Sequence, residues 1–317
     1  MTGLLPDPVS AGNGHDVPGG GQVEPVAVLD ARRCALGEGP HFDDRTGRFG
    51  WVDILGSRVL WSRPEDGTAG ELSVPGHVGA AVPRRDGGLV LCLPAGPALL
   101  DPDGALRALG SYADADTAAL GTAPRRGPAL RSNDAKADRA GRLWLGTMAY
   151  DETPGAGTLY RLDPGAPGPV RVLGDLTISN GLGWSPDGTV MYYVDSPTGR
   201  LDAFDYDLDT GTLGRRRTFA TIDAGFPDGL CVDADGGVWV ALWRGSAVRR
   251  YRPDGRLDRV VPVPTPQVTS CAFGGNGFRT LVITTAAVDL PDDAAAGLTY
   301  AHLPGDVVGL PVDRYAG

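Results

Sequence analysis

A recurring spacing limits the folds that this chain can adopt. A polar residue is followed eight residues later by a glycine that closes a short turn, and a β-type run follows that glycine. The pairs with this spacing are Asn133 and Gly141, Asn180 and Gly188, and Asp228 and Gly236. Glu38 fits the same frame with one extra residue before Gly47. Because equivalent positions of a circular repeat fold face a common axis, these polar side chains are predicted to converge on one site.

The same frame occurs twice more, so the chain contains six similar units. They begin near residues 38, 80, 133, 180, 228 and 269, at intervals of 42, 53, 47, 48 and 41 residues. Turns rich in Asp, Pro and Gly separate further short β-type runs within the units, and no apolar stripe recurs at helical spacing. Repeats of roughly 40–50 residues are typical of propeller blades. The sequence therefore predicts an all-β fold, a six-bladed β-propeller over residues 25–317.

Residues 1–24 differ from the rest of the chain, because they are rich in Gly, Pro and Asp and almost free of aromatic side chains. Such a segment cannot bury enough apolar surface to order itself, so a flexible N-terminal tail is predicted. It has no secretory-signal pattern, and nowhere in the chain is there an apolar run long enough for a membrane span. We therefore expect a cytoplasmic protein that does not enter a membrane. The net charge of −10 disfavours nucleic acid and anionic membranes as partners.

The four cysteines lie far apart in the sequence and include no Cys-x-x-Cys pair. They are Cys34, Cys92, Cys231 and Cys271. This spacing excludes zinc-finger and thioredoxin-like motifs. Reduced and mostly buried thiols are expected.

Several kinds of active site are excluded by missing motifs. The histidines lack the His-x-His and His-Glu-x-x-His spacings of zinc sites, and the chain has neither a Gly-x-Ser-x-Gly turn nor a phosphate-binding Gly-x-x-x-x-Gly-Lys-Ser/Thr loop. The oxygen-bearing side chains of Glu38, Asn180 and Asp228 remain. Carboxylate and amide oxygens suit hard divalent cations. Three protein ligands would leave coordination positions open for water or substrate, which is typical of a catalytic metal site.

Five short motifs, taken in order, resemble the successive signatures of the SMP-30/gluconolactonase/regucalcin family. They are Gly37-Glu38-Gly39-Pro40, the run from Arg131 to Asp138, Gly146-Thr147-Met148, Ser179-Asn180-Gly181-Leu182 and Pro227-Asp228-Gly229-Leu230. Each motif alone has low specificity, but all five lie in register with the predicted units. The resemblance covers the chain from about residue 25 onward. It implies a six-bladed propeller with one divalent cation in its central channel, and an enzyme that hydrolyses sugar lactones.

The resemblance also implies roles for individual residues. Glu38, Asn180 and Asp228 are expected to bind one divalent cation, which can be calcium, magnesium, manganese or zinc. Arg131 and Asn133 are expected to contact the sugar lactone. Asp228 is the expected general base, because a carboxylate that binds a cation through one oxygen keeps a second oxygen for a proton.

Two further expectations concern neighbouring positions. The family has an acidic substrate contact shortly after Gly-Thr-Met, and Asp151 is the expected match here, with Glu152 as the alternative. Lys136, the only lysine of the chain, is expected to be structural and to pair with Asp138.

Three other functions remain open at this point. The first is a non-enzymatic, cation-binding regulatory protein, which the resemblance to regucalcin also permits. The second is a propeller scaffold for protein partners, although the loop from Asp114 to Gly127 is polar and small rather than apolar. The third is a lactonase of the phosphotriesterase-like or paraoxonase-like type, whose motif spacing fits less well. Turnover of a lactone distinguishes an enzyme from a regulator. The sequence specifies neither the lactone, nor the native metal, nor the oligomeric state.

Overall fold

The recurring glycine of each predicted unit closes a tight turn before a strand. Its φ angle is positive in all six units, from +63° at Gly277 to +90° at Gly141. Only glycine adopts this region of backbone conformation without steric cost, which explains why the residue recurs at this position. The computed structural model describes residues 25–120 and 127–317, and the predicted tail of residues 1–24 lies outside them.

The described residues form six four-stranded antiparallel sheets arranged as blades. Strand β1, Ala27–Asp30, belongs to the blade that closes the ring. Blade 1 contains β2 Gly37–Asp43, β3 Arg48–Asp53, β4 Arg58–Arg63 and β5 Thr68–Ser73. Blade 2 contains β6 Ala81–Pro83, β7 Leu89–Leu93, β8 Gly96–Leu100 and β9 Leu106–Ala108. Blade 3 contains β10 Leu130–Ala137, β11 Leu143–Ala149, β12 Gly157–Leu162 and β13 Val170–Leu176.

The remaining blades follow the same order from the axis outward. Blade 4 contains β14 Ser179–Trp184, β15 Val190–Asp195, β16 Arg200–Asp207 and β17 Thr212–Thr221. Blade 5 contains β18 Phe226–Val232, β19 Val238–Trp243, β20 Ala247–Tyr251 and β21 Leu257–Pro262. Blade 6 contains β22 Val268–Gly274, β23 Thr280–Thr285 and β24 Thr299–His302, with β1 as its outermost strand. One-turn 3-10 helices occupy Ser196–Thr198 and Asn276–Phe278.

The innermost strands form a closed ring. Each of β2, β6, β10, β14, β18 and β22 packs against the innermost strands of both neighbouring blades. The six predicted units coincide with these six strands, so the predicted six-bladed propeller is confirmed. Apolar side chains between the blades are fully buried, as shown by Trp144 and Trp239 at 0% exposure.

One predicted loop contains a helix. The sequence predicts a loop from Asp114 to Gly127, but the first described residues of that segment belong to an α-helix. Helix α1 spans Tyr112–Leu120. Ser111 caps it, because the Ser111 Oγ accepts a hydrogen bond from the backbone N–H of Asp114 (3.1 Å). Among its described side chains only Tyr112 and Ala115 enter the core, so the sequence offers no apolar stripe from which to predict the helix. None of the helices in the described parts of the chain is long and apolar enough to cross a bilayer.

A C-terminal strap, residues 308–317, crosses the end of the channel at which the innermost strands terminate. It is hydrogen-bonded to blade 5 through Ala234 N–H and Val308 O (2.9 Å) and to blade 3 through Ala316 N–H and Gly141 O (3.0 Å). Between these points Tyr315 is buried at 1% exposure. Above the strap lies a cavity of about 140 Å³.

Candidate metal and substrate site

The candidate residues lie where four innermost strands begin, at the end of the channel opposite the strap. Each of these strands carries a β-bulge there. Strand β2 advances three residues from Glu38 to His41 while its partner β3 advances two, and β10, β14 and β18 show the same shift. A bulge breaks the two-residue alternation of a strand and turns side chains toward a new direction. The bulges therefore aim the polar residues of the repeat toward the common axis.

A glycine follows each of the predicted cation ligands: Gly39 has a positive φ of 55°, whereas Gly181 and Gly229 lie where neighbouring innermost strands approach closely. A Cβ atom added to Gly181 would lie 2.5 Å from the carbonyl oxygen of Asp228, and one added to Gly229 would lie 2.5 Å from the Cβ of Ser270. A side chain at either position would push the strands apart. The Asn-Gly and Asp-Gly pairs of the motifs thus bring the residues of separate blades together.

Three buried carboxylates converge at this end of the channel, and we call them the acidic cluster. They are Glu38, Asp134 and Asp228, with exposures of 5%, 3% and 6%. Burial raises the pKa of Glu38 well above its usual value, and the neighbouring Asp228 and Asp134 raise it further. Burial and Asp134 also raise the pKa of Asp228. Ionised carboxylates that are buried and that raise one another's pKa need a positively charged partner.

Several oxygens of the site have no hydrogen-bond partner within the described part of the chain. These are Asn180 Oδ1, Asp228 Oδ1 and both carboxylate oxygens of Asp134. The Asn180 Nδ2 donates to Ser196 Oγ (3.1 Å), which leaves the Asn180 carbonyl oxygen for another partner. Buried acceptors without donors are costly, and a cation would satisfy them.

The donor set fits a hard divalent cation. Among the described residues no group of three or more His, Cys, Asp and Glu side chains is arranged to hold a metal ion. The candidate ligands are instead two carboxylates, Glu38 and Asp228, and one amide oxygen, from Asn180. Such oxygen ligands suit calcium, magnesium or manganese better than a soft metal.

Arg131 supplies positive charge beside the acidic cluster. It is 8% exposed, and burial lowers its pKa while Glu38, Tyr150, Asp228 and Glu152 oppose that shift. Its Nη1 donates to Asn133 Oδ1 (2.6 Å), and Asn133 Nδ2 donates to Ser179 O in blade 4 (2.9 Å). Asn133 therefore holds Arg131 in place and links blades 3 and 4.

The structure does not bring Asp151 into the cluster. Asp151 is exposed, and its Oδ1 accepts hydrogen bonds from the backbone N–H (3.1 Å) and hydroxyl (2.6 Å) of Thr153. Glu152 is half-buried, has a positive φ of 56°, and acts electrostatically on Arg131. Its Oε2 is buried without a partner among the described residues. The alternative acidic position, Glu152, thus fits a substrate contact better than Asp151 does.

Asp134 is the site residue that the sequence reasoning missed. Lys136 opposes the rise in its pKa that burial causes, so these two side chains lie near each other. The Lys136 ammonium donates to the backbone carbonyl of Leu230. The expected pairing of Lys136 with Asp138 is wrong, because the Asp138 carboxylate is held by Arg142, Trp144 and Tyr206. The sequence signal for Asp134 is its place in the motif of blade 3, directly after Asn133.

A search of family models matches residues 36–287 to the SMP-30/gluconolactonase/LRE-like region. The chain belongs to this family. It is 34% identical to regucalcin of Danio rerio, over 92% of this chain and 98% of that protein. It is also 34% identical to a 6-deoxy-6-sulfogluconolactonase of Pseudomonas putida, over 89% of this chain and 97% of that protein.

Solved structures give the same assignment. A calcium-binding regucalcin of Agrobacterium tumefaciens superposes with a TM-score of 0.82 and 31% identity, covering 92% of this chain and 98% of that one. The family therefore contains proteins named as lactonases and proteins named for calcium binding.

Proposed function

We propose that this chain hydrolyses a sugar lactone to the corresponding sugar acid and that it requires one divalent cation to do so. The observation that carries the proposal is the acidic cluster with its unpartnered oxygens, buried beside a guanidinium group. A cation held by Glu38, Asn180 and Asp228 would balance the carboxylates. Relatives named as sugar lactonases support the reaction class.

The residues around the cation position can be given distinct tasks. When bound there, a divalent cation supplies positive charge that polarises the lactone carbonyl. Asp228 takes the proton of the attacking water, because a carboxylate that binds a cation through one oxygen keeps its second oxygen for a proton. As the ring C–O bond breaks, Asp228 returns that proton to the departing oxygen, so the product is a hydroxy acid.

Binding and orientation fall to the residues of blade 3. The hydrogen bonds found for Arg131 are made by Nη1, so Nε and Nη2 can donate to sugar hydroxyls. Asn133 is a positioning residue in this proposal, because its amide holds Arg131 and reaches blade 4. In this proposal Glu152 accepts a hydrogen bond from a sugar hydroxyl. Such orientation can lower a barrier by several kcal/mol.

The test is proton release on a panel of five- and six-membered sugar lactones, before and after chelation and after return of calcium, magnesium, manganese or zinc. We expect turnover that is lost on chelation, restored by the cation, and lowered about 10²–10⁴-fold in Asp228→Asn. Asp233→Asn is the matched control, because Asp233 is a buried aspartate of the same blade that binds Trp239 and Arg250 instead.

Two outcomes would contradict the proposal in different ways. Full activity of the chelated protein would remove the cation from the reaction. Cation binding without turnover of any lactone would favour the regulatory alternative, which needs Glu38, Asn180 and Asp228 but not Arg131.

A further inference from the structure

Two thiols from neighbouring blades touch in the half of the channel nearer the strap. Cys231 lies in β18 and Cys271 in β22, and their Sγ atoms are 3.7 Å apart. The two strands lie so close together that a Cβ added to Gly229 would be 2.9 Å from the Cα of Ser270. A disulfide has an S–S length of about 2.05 Å, so the two Sγ atoms must move closer by rotation of the cysteine side chains before they can bond.

The two thiols differ in their access to small molecules. Cys271 is fully buried, and its S–H donates weakly to the carbonyl oxygen of Trp239 (3.7 Å). Cys231 is half-buried and lines the cavity above the strap, next to Lys136 and Ala272. A small reagent that enters the cavity therefore reaches Cys231 first and finds Cys271 directly behind it.

We propose that Cys231 and Cys271 form a reversible disulfide when the protein meets hydrogen peroxide. The Cys231 thiolate attacks one peroxide oxygen, the O–O bond breaks, and the departing hydroxide takes a proton to become water. The resulting Cys231 sulfenic acid is attacked by the Cys271 sulfur, the S–O bond breaks, and a second water leaves. Two thiols and one peroxide thus give one disulfide and two waters, with sulfur oxidised and peroxide oxygen reduced. The bond links the innermost strands of blades 5 and 6.

The environment of the pair sets its rate and its selectivity. Burial raises the pKa of the Cys231 thiol, and the nearby Lys136 ammonium partly opposes that shift. The reaction is therefore slower than that of an exposed, acidic thiol. Cys34 and Cys92 are fully buried free thiols, so they provide internal controls in the same molecule.

The experiment exposes the reduced full-length protein to hydrogen peroxide, alkylates the remaining thiols in denaturant, and maps the tryptic peptides. Trypsin cuts after Arg217, Arg244, Arg259 and Arg279, so Cys231 and Cys271 fall in separate peptides, 218–244 and 260–279. We expect these two peptides to appear joined, with the loss of two hydrogens, and to separate again on reduction. Cys34 and Cys92 should remain alkylatable.

Three variants make the result decisive. Cys92→Ser should form the bond as the wild type does, whereas Cys271→Ser should stop at a Cys231 sulfenic acid that dimedone traps. Cys231→Ser should leave Cys271 unreacted, because the buried Cys271 thiol reacts only with a sulfenic acid formed on Cys231. The proposal is overturned if the folded wild type accumulates Cys231 sulfenic acid without the joined peptides. It is equally overturned if Cys34 or Cys92 reacts as fast, or if the unfolded chain in urea joins the same peptides as rapidly.

Discussion

Arg131 lies beside the acidic cluster but cannot bind a cation, because a protonated guanidinium has no free lone pair. We predict that Arg131→Ala lowers kcat/KM for a hydroxylated sugar lactone by at least about tenfold, the range expected for loss of a charged hydrogen bond. The loss should be smaller for a lactone without hydroxyls. Cation affinity, measured by calorimetric titration, should not fall, since the change removes a positive charge near the carboxylates.

Paired kinetics on the two lactones separate the possible roles of Arg131. Equal losses on both would place its guanidinium on the carbonyl instead of the hydroxyls. Weaker cation binding would show that Arg131 supports the ligands. Arg249→Ala is the matched control, since Arg249 is also buried, at 6% exposure, but forms an ion pair with Asp223 in blade 5.

Glu152 and Asp151 are adjacent acids with different surroundings, which makes them a matched pair. We predict that Glu152→Gln raises KM for sugar lactones several-fold, because the buried Oε2 would lose its charge beside Arg131. Asp151→Asn should leave KM nearly unchanged, because that carboxylate is exposed and is bound to Thr153. The reverse pattern in steady-state kinetics would restore Asp151 as the substrate contact.

The acidic cluster should also make stability depend on pH and on the cation. Glu38 and Asp228 have folded-state pKa values raised above their unfolded values, so they favour the folded state at low pH. Without a cation, this contribution is lost as pH rises from about 4 through the raised values. A bound cation competes with those protons, so the rise in Tm that calcium or manganese produces should grow from pH 5 to pH 8. A cation effect on Tm that is constant over this range would contradict the prediction.

The residues of the site were predictable to the extent that they follow the repeat. Glu38, Asn180 and Asp228 occupy equivalent positions in three units, and their convergence follows from ring symmetry. Asp134 was missed because strand alternation places adjacent residues on opposite faces, whereas the bulge in β10 disrupts that alternation. The choice between Asp151 and Glu152 depends on one left-handed residue in a loop, and no repeat constrains it.

At the scale of elements, the strap is the feature that the repeat could not reveal. It lies outside the six units, and its contacts join residues that are far apart in sequence. Arg314 binds Asp43 of blade 1 (2.9 Å), and the Tyr315 N–H donates to Pro83 O of blade 2 (3.0 Å). Blade 6 likewise contains a strand, β1, that precedes the first predicted unit.

Asp313 of the strap should make the stability of the protein depend on pH. It borders the cavity, and burial raises its pKa to about 6. Its contribution to folding is complete below pH 4 and is lost as pH rises through about 6. We predict that Asp313→Asn flattens the fall in the free energy of unfolding between pH 5 and pH 7, measured by urea denaturation. An unchanged slope would show that Asp313 ionises freely in the folded protein.

At the scale of the whole molecule, the same ring has a different character at each end. The end where the innermost strands begin is charged, with three carboxylates and Arg131 around the axis. The strap end is lined largely by apolar side chains, among them Phe42, Phe273 and Val312. The two ends of the channel therefore offer different chemistry, one charged and one mainly apolar. The fold class and its six units followed from the sequence, because every blade repeats the same turn.

The outermost strand of blade 6 has a consequence for how the protein is made. Strand β1 leaves the ribosome about 270 residues before β24, its only sheet neighbour in the described part of the chain. During that interval its backbone hydrogen-bonding groups are satisfied by water or by other partners. The last sheet is thus completed only when translation has passed residue 302, and the ring closes late. Nascent chains should remain sensitive to protease at the first strand until that point, even though blades 1 to 5 can already have formed.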